Sequence, residues 1–275
     1  MTDDRRLRLA RVLAVANQKG GVGKTTTAIN LATSLALGNQ RVLLIDIDPQ
    51  GNLTSGIGFK GRHADAGTIY EALMTNAAPE SFVLATQVAN LSLIPADRNL
   101  TGAEIELVNM PSREHRLRRV LEPLRPNFDL IFIDCPPSLG LLTLNALVAA
   151  DAVVIPLHCE YFALEGLADL VSTMRRVRLS LNPHLDLEGV LLTMYDERTN
   201  LGQLVARDIR EFFRAKVFDT VIPRNVRLGE APSHGMAAVL YDAKSRGAAA
   251  YAALAKEMLA RSPESSQVQD GGGSR

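Results

Sequence analysis

Eight residues near the start of the chain, Lys19 to Thr26, have the types and spacing of a phosphate-binding loop, with the sequence K-G-G-V-G-K-T-T. The glycines let backbone N–H groups turn inward around an anion, and a following helix adds partial positive charge. Lys24 would reach the β- and γ-phosphates of a nucleotide, and the Thr25 hydroxyl would bind Mg²⁺. The loop has Gln18 where the common pattern has glycine, and Lys19 adds a second lysine, so it is of the deviant type.

Acidic residues follow two apolar segments farther along the chain. Asp46 and Asp48 come after the segment 41–45, RVLLI, and Asp134 ends the segment 128–134, FDLIFID. Because ligands bind at the carboxyl edge of a parallel sheet, we expect these carboxylates to lie beside the loop. An apolar strand that ends in aspartate is the Walker B arrangement, and Asp134 would hold Mg²⁺ through water.

The segments that must position these residues alternate between strand and helix patterns. Short apolar runs predict buried parallel strands, and apolar residues at helical spacing predict helices between them. We predict strands at 12–16, 41–45, 91–95, 128–134, 152–157, 187–195 and 217–222, and helices at 26–37, 68–74, 100–108, 113–124, 164–181, 201–214 and 247–259. This alternation predicts an α/β fold with a doubly wound, mostly parallel sheet that has helices on both faces.

Composition limits the class of protein. Lys+Arg and Asp+Glu each number 30 among 275 residues, so nucleic-acid binding would require a local basic patch. Cys135 and Cys159 suit a reducing compartment and are too few for a disulfide framework or an all-cysteine zinc site. No apolar run of about 18 residues predicts a transmembrane helix. The polar N-terminus lacks a signal-peptide core, so we expect a cytoplasmic protein.

The ends of the chain differ in composition from its centre. Residues 1–11 form a basic arm, which is either a solvated leader or a contact to DNA or anionic lipid. Residues 12–261 carry the strand and helix patterns and are predicted to form a single P-loop ATPase domain. Residues 262–275 are rich in Ser, Gln and Gly, and we predict a disordered tail.

A second basic segment lies in the predicted helix 113–124 and just beyond it. Its arginines are Arg113, Arg116, Arg118, Arg119 and Arg125. The sequence leaves two interpretations open, a solvated helix face and a surface that contacts DNA or a protein partner.

Several longer motifs resemble one family. They are N-Q-K-G-G-V-G-K-T-T-T at 17–27, D-I-D-P-Q-G-N at 46–52, I-D-C-P-P at 133–137, T-M-Y-D-E-R-T-N-L-G at 193–202 and I-P-R-N-V-R-L-G-E-A-P-S-H-G at 222–235. On these motifs, which extend through nearly the whole chain, the protein resembles the ParA/MinD family of deviant-P-loop ATPases, and within it the ParA/Soj partitioning ATPases.

The resemblance implies a role for each matching residue. Lys19 resembles the signature lysine that reaches the partner's phosphates in a nucleotide-sandwiched dimer, acting like an arginine finger supplied in trans. Asp48 matches the residue that positions the attacking water, and Asp46 would support the Mg²⁺ shell. The implied catalytic residues are Lys19, Lys24 and Asp48. The implied metal-binding residues are Thr25, Asp46 and Asp134. The implied nucleotide-binding residues are Lys19, Gly20, Gly21, Val22, Gly23, Lys24, Thr25, Thr26, Pro223 and Asn225.

The resemblance also implies a mechanism and partners. ATP with Mg²⁺ would close a homodimer that binds double-stranded DNA without sequence preference, and hydrolysis stimulated by a ParB-like centromere-binding protein would release it. Arg198 and Arg227 match the DNA-binding arginines, which would contact phosphates. The alternative is that these arginines pair with Asp196, Glu197 or Glu230. A cytoplasmic, nucleoid-associated protein is expected, with no membrane partner.

Three other functions share the fold. A MinD-like membrane ATPase would need an amphipathic C-terminal helix, and the tail has no apolar face. Another cargo-positioning ATPase is part of the same alternative. An electron carrier similar to the nitrogenase iron protein would need two cysteines facing a dimer axis, whereas Cys135 is better explained as a small buried residue. A metabolic ligase or kinase would need a second substrate pocket, for which the sequence offers no additional acid–base cluster.

Overall fold

The computed structural model describes residues 9–160 and 163–261 of the chain. Within them, seven strands form one sheet: Arg11–Val15 (β1), Val42–Asp46 (β2), Leu84–Ala85 (β3), Leu91–Ile94 (β4), Leu130–Asp134 (β5), Ala152–His158 (β6) and Asp186–Thr193 (β7). The order across the sheet is β3-β4-β2-β5-β1-β6-β7, and β3 alone among these strands runs antiparallel to its neighbour. The predicted arm 1–11 lies mostly outside the described residues, and the predicted tail 262–275 lies entirely outside them.

Helices follow most of the strands. They are Lys24–Leu37 (α1), Asn52–Gly56 (α2), Ile69–Met74 (α3), Leu100–Leu107 (α4), Arg116–Leu121 (α5), Leu141–Ala149 (α6), Ala163–Ser180 (α7), Asn200–Phe213 (α8), Val226–Glu230 (α9), Ala238–Tyr241 (α10) and Arg246–Arg261 (α11). Thr68 begins α3 with a capping box in which its side chain and Glu71 exchange hydrogen bonds with the backbone.

Two apolar layers cover the sheet. One layer contains buried side chains from α3 to α8, among them Leu117, Leu147 and Leu170. The opposite layer contains buried side chains from α1 and α11, among them Ile29 and Leu254. The prediction of a doubly wound, mostly parallel sheet with helices on both faces is therefore confirmed.

The predicted strand at 217–222 is wrong. The segment runs beside β7 but makes only isolated bridges, Val190 with Val217 and Tyr195 with Pro223. Its ladder is interrupted because the backbone N–H groups of Asp219 and Thr220 donate to the Glu257 carboxylate, at 2.7 and 2.9 Å.

The predicted helix at 113–124 is shorter than expected. A 3₁₀ turn, Arg113–His115, precedes α5, which ends at Leu121. Arg116 does not belong to a solvated face: it is buried, and its guanidinium donates to the carbonyl oxygens of Leu73 and Thr75 at 2.7 and 3.3 Å. Arg118 and Arg119 remain exposed.

Candidate nucleotide-binding site

The phosphate-binding loop connects β1 to α1 at the carboxyl edge of the sheet. Gly21 and Gly23 have φ of 73° and 88°, in the left-handed region that favours glycine, so the loop can curl where a side chain would strain it. The Nζ of Lys24 donates to the Lys19 carbonyl oxygen at 3.0 Å. Burial lowers the pKa of Lys24, and the charges of Asp134, Cys135 and Asp48 oppose that change.

Neighbouring strands hold this loop in place. The Thr193 hydroxyl, at the end of β7, donates to the carbonyl oxygen of Val22 at 2.8 Å. Asn17 accepts from the backbone N–H of Lys19 at 3.0 Å and donates to the Pro156 carbonyl oxygen in β6 at 2.8 Å. Strand β6, which pairs with β1, and strand β7 beyond it therefore position the loop through buried hydrogen bonds.

Asp46 and Asp134 lie opposite each other at the ends of β2 and β5. The Asp46 carboxylate is fully buried and accepts from Thr54 N and Oγ1 at 2.9 and 2.7 Å and from Asp48 N at 3.1 Å. Burial raises its pKa to about 6, while the hydrogen bonds from Thr54 oppose the rise. Because protein donors occupy its oxygens, Asp46 is suited to hold the 46–54 loop.

The carboxylate of Asp134 differs from that of Asp46 in its hydrogen bonding. It is fully buried, and among the described residues neither carboxylate oxygen has a hydrogen-bond partner. Burial, followed by the charge of Asp46, raises its pKa well above its ordinary value, although the Thr25 hydroxyl and Lys24 act to lower it. An unpartnered buried carboxylate beside a hydroxyl fits a cation held directly or through water.

The side chains at this site would suit Mg²⁺ only together with further oxygen ligands. Within residues 9–160 and 163–261, no group of three or more His, Cys, Asp or Glu side chains could hold a metal ion. Mg²⁺ normally keeps several waters and combines one or two carboxylates with substrate phosphates. Thr25 and Asp134 fit that role beside the phosphate-binding loop.

Replacing Asp134 with asparagine is expected to stabilise the nucleotide-free protein. The folded-state pKa of Asp134 lies above its unfolded value, so its contribution to stability is present at low pH and is lost as pH rises through the folded value. Thermal unfolding of Asp134→Asn should therefore show a gain of about 1–3 kcal/mol at the alkaline end of a pH series, and the gain should shrink as pH falls towards the ordinary aspartate range. Asp65→Asn, at an exposed carboxylate, is the control, and an equal gain there would contradict the explanation.

A cleft of about 600 Å³ opens above the loop. Its lining includes the loop residues Gly20, Gly21, Gly23, Lys24, Thr25 and Thr26, together with Asp48, Pro223 and Asn225. Asp48 is 7% exposed, and its Oδ1 accepts from the backbone N–H of Gln50 at 2.9 Å. The structure thus brings most of the predicted nucleotide residues to one cleft, while Asp46 and Asp134 lie buried beneath it.

Lys19, the second lysine of the loop, contacts a residue that follows β6. Its ammonium forms an ion pair with Glu160, two residues beyond the end of β6, and His158 Nδ1 lies 3.6 Å from the other Glu160 oxygen. The hydrogen bond and charge of Lys19 lower the pKa of Glu160. In this single chain, Lys19 is therefore held by a carboxylate of its own subunit.

The two arginines predicted to bind DNA flank the cleft without lining it. Arg198 forms hydrogen bonds to both Asp196 oxygens, at 2.8 and 2.7 Å. Arg227 donates to Glu230 at 2.7 Å and lies 3.3 Å from Asp242. The pairing that the sequence left as an alternative is thus present, although both guanidinium groups remain partly or largely exposed.

Sequence reasoning did not identify several residues of the site. Thr193 and Tyr251 line the cleft, and the hydroxyl groups of Tyr251 and Thr27 lie 3.1 Å apart. Thr193 begins one of the motifs quoted above, so its position was a usable signal. Glu160 and Tyr251 had no local signal, because each reaches the site from a distant part of the chain.

Comparison with other proteins supports this description. A family model described as an AAA domain matches residues 10–187. The chain is 56% identical over 252 residues to the sporulation initiation inhibitor protein Soj of Bacillus subtilis strain 168, covering 92% of this chain and 99% of Soj. It is 53% identical over 253 residues to the chromosome partitioning protein ParA of Myxococcus xanthus, covering 92% and 89%.

The chain belongs to the ParA/Soj family of partitioning ATPases. A solved structure titled cobyrinic acid a,c-diamide synthase from Mycobacterium smegmatis, with bound ADP and magnesium, is also similar. It is 39% identical with a TM-score of 0.79, and the match covers 92% of this chain and 95% of that one. The ParA/Soj fold is thus also used by a protein that carries the name of a metabolic enzyme.

Proposed function

We propose that this ParA/Soj protein is an ATPase that partitions DNA, in which ATP binding favours a DNA-bound homodimer and hydrolysis ends that state. The observation that carries the proposal is that Lys24 and Asp48 line one cleft and that the unpartnered Asp134 lies buried beneath it. ADP and magnesium in the similar Mycobacterium smegmatis structure support ATP and Mg²⁺ as the ligands. Bound Mg²⁺ would neutralise negative charge on the phosphates.

Each residue of the site has a proposed task. The glycine loop and Lys24 would bind phosphate oxygens, while Pro223 and Asn225, which also line the cleft, would contact the nucleotide base. Asp48 orients the attacking water. Asp46 keeps the loop that carries Asp48 in place through its bonds to Thr54 and the Asp48 backbone.

The proposed dimer depends on Lys19. In the single chain this lysine is paired with Glu160, so reaching a partner's phosphates requires that ion pair to open. A ligand shifts a conformational equilibrium only through different affinities for the two states. The γ-phosphate supplies that difference, because ATP offers Lys19 an anion that ADP lacks. A ParB-like partner would act on this closed state to accelerate hydrolysis.

DNA binding is the experiment that tests this proposal. Binding to non-specific duplex DNA should be measured with ATP, with ADP and without nucleotide across a salt series. We expect binding with ATP only, weakening steeply as salt rises because phosphate contacts release counterions. Equal binding in all three states, or no binding, would contradict the proposal.

Replacing Arg227 with glutamate is expected to weaken this binding at all sequences. The substitution removes one phosphate contact from each subunit of the homodimer, so at about 0.9 per contact the slope of log K against log[salt] should fall by about 1.8. ATP-dependent dimers should still form in analytical ultracentrifugation. Arg62→Glu is the matched control, since Arg62 is exposed and lies outside the cleft. Loss of dimers in the Arg227 variant would assign this arginine to assembly instead.

Two alternative functions can be tested with the same protein. Among the described residues, none of the helices is both long enough and apolar enough to cross a bilayer. ATP-dependent flotation with liposomes would nevertheless favour a MinD-like cargo-positioning ATPase. A metabolic amide-forming enzyme is the second candidate because of the similar Mycobacterium smegmatis protein. ATP turnover that depends on a carboxylic acid and an amine donor, and not on DNA, would support it.

A further inference from the structure

Two glycines from distant parts of the chain are in direct backbone contact. Gly58 and Gly235 have φ of 85° and 66°, in the left-handed region that favours glycine. A Cβ atom at position 235 would lie 2.7 Å from the Cα of Gly58 and 3.0 Å from its backbone nitrogen. A Cβ atom at position 58 would lie 3.2 Å from the carbonyl oxygen of Gly235. The two backbones therefore approach each other more closely than side chains would permit.

Residues 46–59, which we call the catalytic segment, join Asp48 to Gly58 through successive backbone hydrogen bonds. The Gly51 N–H donates to the Asp48 carbonyl oxygen at 2.9 Å, and the Ser55 N–H donates to that of Gly51, also at 2.9 Å. The Gly58 N–H then donates to the Ser55 carbonyl oxygen at 3.0 Å. Because each turn of the segment is bonded to the next, a displacement of Gly58 is carried through α2 to the loop that holds Asp48.

Residues 222–236, which we call the base segment, join Asn225 to Gly235 in a similar way. Asn225 caps α9, because its side-chain oxygen accepts a backbone N–H of the first helical turn at 2.9 Å. A 3₁₀ turn, Ala231–His234, follows α9 directly. The Gly235 N–H ends that turn by donating to the Pro232 carbonyl oxygen at 3.0 Å. Two short helical elements in succession therefore connect Asn225, proposed above to contact the base, with Gly235.

Glycine at position 56 extends this close packing towards the nucleotide cleft. A Cβ atom there would lie 2.7 Å from the Cδ1 atom of Ile29 and 3.5 Å from the Cβ atom of Pro232. Ile29 and Pro232 both line the cleft, as do Asp48 and Asn225. The catalytic segment and the base segment therefore meet where they line the cleft.

Buried apolar side chains fix the two segments against each other. The catalytic segment buries Leu53, Ile57 and Phe59 in the same apolar layer in which the base segment buries Leu228 and Ala231. Protein interiors are close-packed and of low compressibility, so they transmit a displacement instead of absorbing it. A movement of one segment therefore displaces the other.

We propose that the contact between Gly58 and Gly235 couples recognition of the nucleotide base to hydrolysis, so that both glycines are positioning residues for Asp48. The inference rests on the proposed function, which assigns the base to Asn225 and the attacking water to Asp48. A base that fits the base segment holds Gly235 against Gly58, and the catalytic segment then keeps Asp48 in place beside the bound phosphates. Phosphates without a fitting base would occupy the glycine loop and leave Asp48 less well placed. Discrimination between bases therefore affects kcat as well as KM.

The test compares alanine at two glycines that share the left-handed conformation. Gly235→Ala inserts a Cβ atom into the contact. Gly61→Ala is the matched control, because Gly61 has φ of 71°, is exposed and, apart from its chain neighbours, has no atom of the described residues within 4 Å of its Cβ position. Both substitutions cost similar backbone strain, so the contact is what differs between them.

Hydrolysis and binding of ATP are measured in the full chain with Mg²⁺. Gly235→Ala should lower kcat about tenfold while ATP affinity stays within about threefold of the parent, since a small misplacement of a reacting group is costly. Gly61→Ala should match the parent in both quantities. A loss of ATP affinity as large as the loss of kcat would mean that the cleft itself is damaged, and would overturn the coupling.

A double-mutant cycle distinguishes coupling from a simple loss of structure. Asn225→Ser keeps a side-chain oxygen for the cap of α9 but removes the amide that would contact the base. In the parent and in Gly61→Ala, this substitution should lower kcat about tenfold. In Gly235→Ala, where the contact is already broken, it should lower kcat no further. Full additivity of the two effects, or no effect of Asn225→Ser in the parent, would overturn the proposal.

Two further measurements complete the test. Thermal unfolding checks that Gly235→Ala folds. Gly58→Ala repeats the cycle if it does not, since its Cβ atom would meet the Gly235 carbonyl oxygen at the longer distance of 3.2 Å. An unchanged kcat in the folded variants would overturn the coupling, while ATP-dependent DNA binding by the parent would still support the proposed function. If the parent hydrolyses no ATP, both proposals fail.

Discussion

Replacing Lys24 with alanine is expected to abolish nucleotide binding. Lys24 is the buried cation of the cleft, and its ammonium interacts electrostatically with Asp134, Cys135 and Asp48. Without it, the phosphates would lie near Asp48 and Asp134 with no buried cation in the cleft to balance those carboxylates. Removing one partner of a buried charge pair costs about 3–5 kcal/mol, so ATP and ADP affinity should fall by at least about 100-fold in titration calorimetry.

The matched control for Lys24→Ala is Lys60→Ala, at an exposed lysine outside the cleft. It should bind ATP as the parent does. Thermal unfolding without nucleotide should show that both variants fold. ATP affinity within about threefold of the parent in folded Lys24→Ala would mean that the backbone N–H groups of the loop hold the phosphates without the lysine.

The phosphate-binding loop and its carboxylates could be predicted because local sequence determines both. Glycines at 21 and 23 meet a backbone requirement within the loop itself, and the apolar runs before Asp46 and Asp134 place each carboxylate at a strand end. The order β2-β5-β1 then brings the two strand ends together. Strand and helix patterns therefore predict the fold class and much of the cleft.

Interactions between distant segments could not be predicted in the same way. Residues 217–222 have the composition of a strand, but Glu257 of α11 takes two of the backbone N–H groups that a ladder would use. Arg116 resembles its solvated neighbours in sequence and yet is buried against the carbonyl oxygens of Leu73 and Thr75. In both cases the deciding partner lies more than 35 residues away in the chain.

The pairing of Arg198 and Arg227 shows a related limit of prediction from sequence. Sequence motifs identify Arg198 and Arg227 as candidates for DNA binding, but the motifs do not reveal that carboxylates already compensate both. Breaking these exposed pairs is inexpensive, because solvent screens the attraction between charges at the surface. Pairing in the single chain is therefore compatible with DNA binding by Arg198 and Arg227.

Replacing Asp48 with alanine is expected to slow ATP hydrolysis by about 10²–10⁴-fold while ATP binding persists. Asp48 lines the cleft together with Lys24 and Thr25, so its carboxylate can orient water without holding the nucleotide. If hydrolysis ends the DNA-bound state, the variant should remain on DNA longer than the parent. Dissociation after dilution, followed on a DNA-coated surface, measures that lifetime, and faster release would contradict the assigned role.

Asp48 also supports its own loop, and a second variant separates this task from catalysis. Its Oδ1 accepts from the backbone N–H of Gln50, an interaction that an asparagine oxygen can also make. Asp48→Asn should therefore preserve the loop yet remain slow, because a neutral amide cannot accept a proton from water. Recovery of hydrolysis in Asp48→Asn would mean that the alanine variant failed through loop disorder. Persistent loss in both variants would assign the carboxylate charge to the chemical step, and the long-lived DNA complex would follow from it.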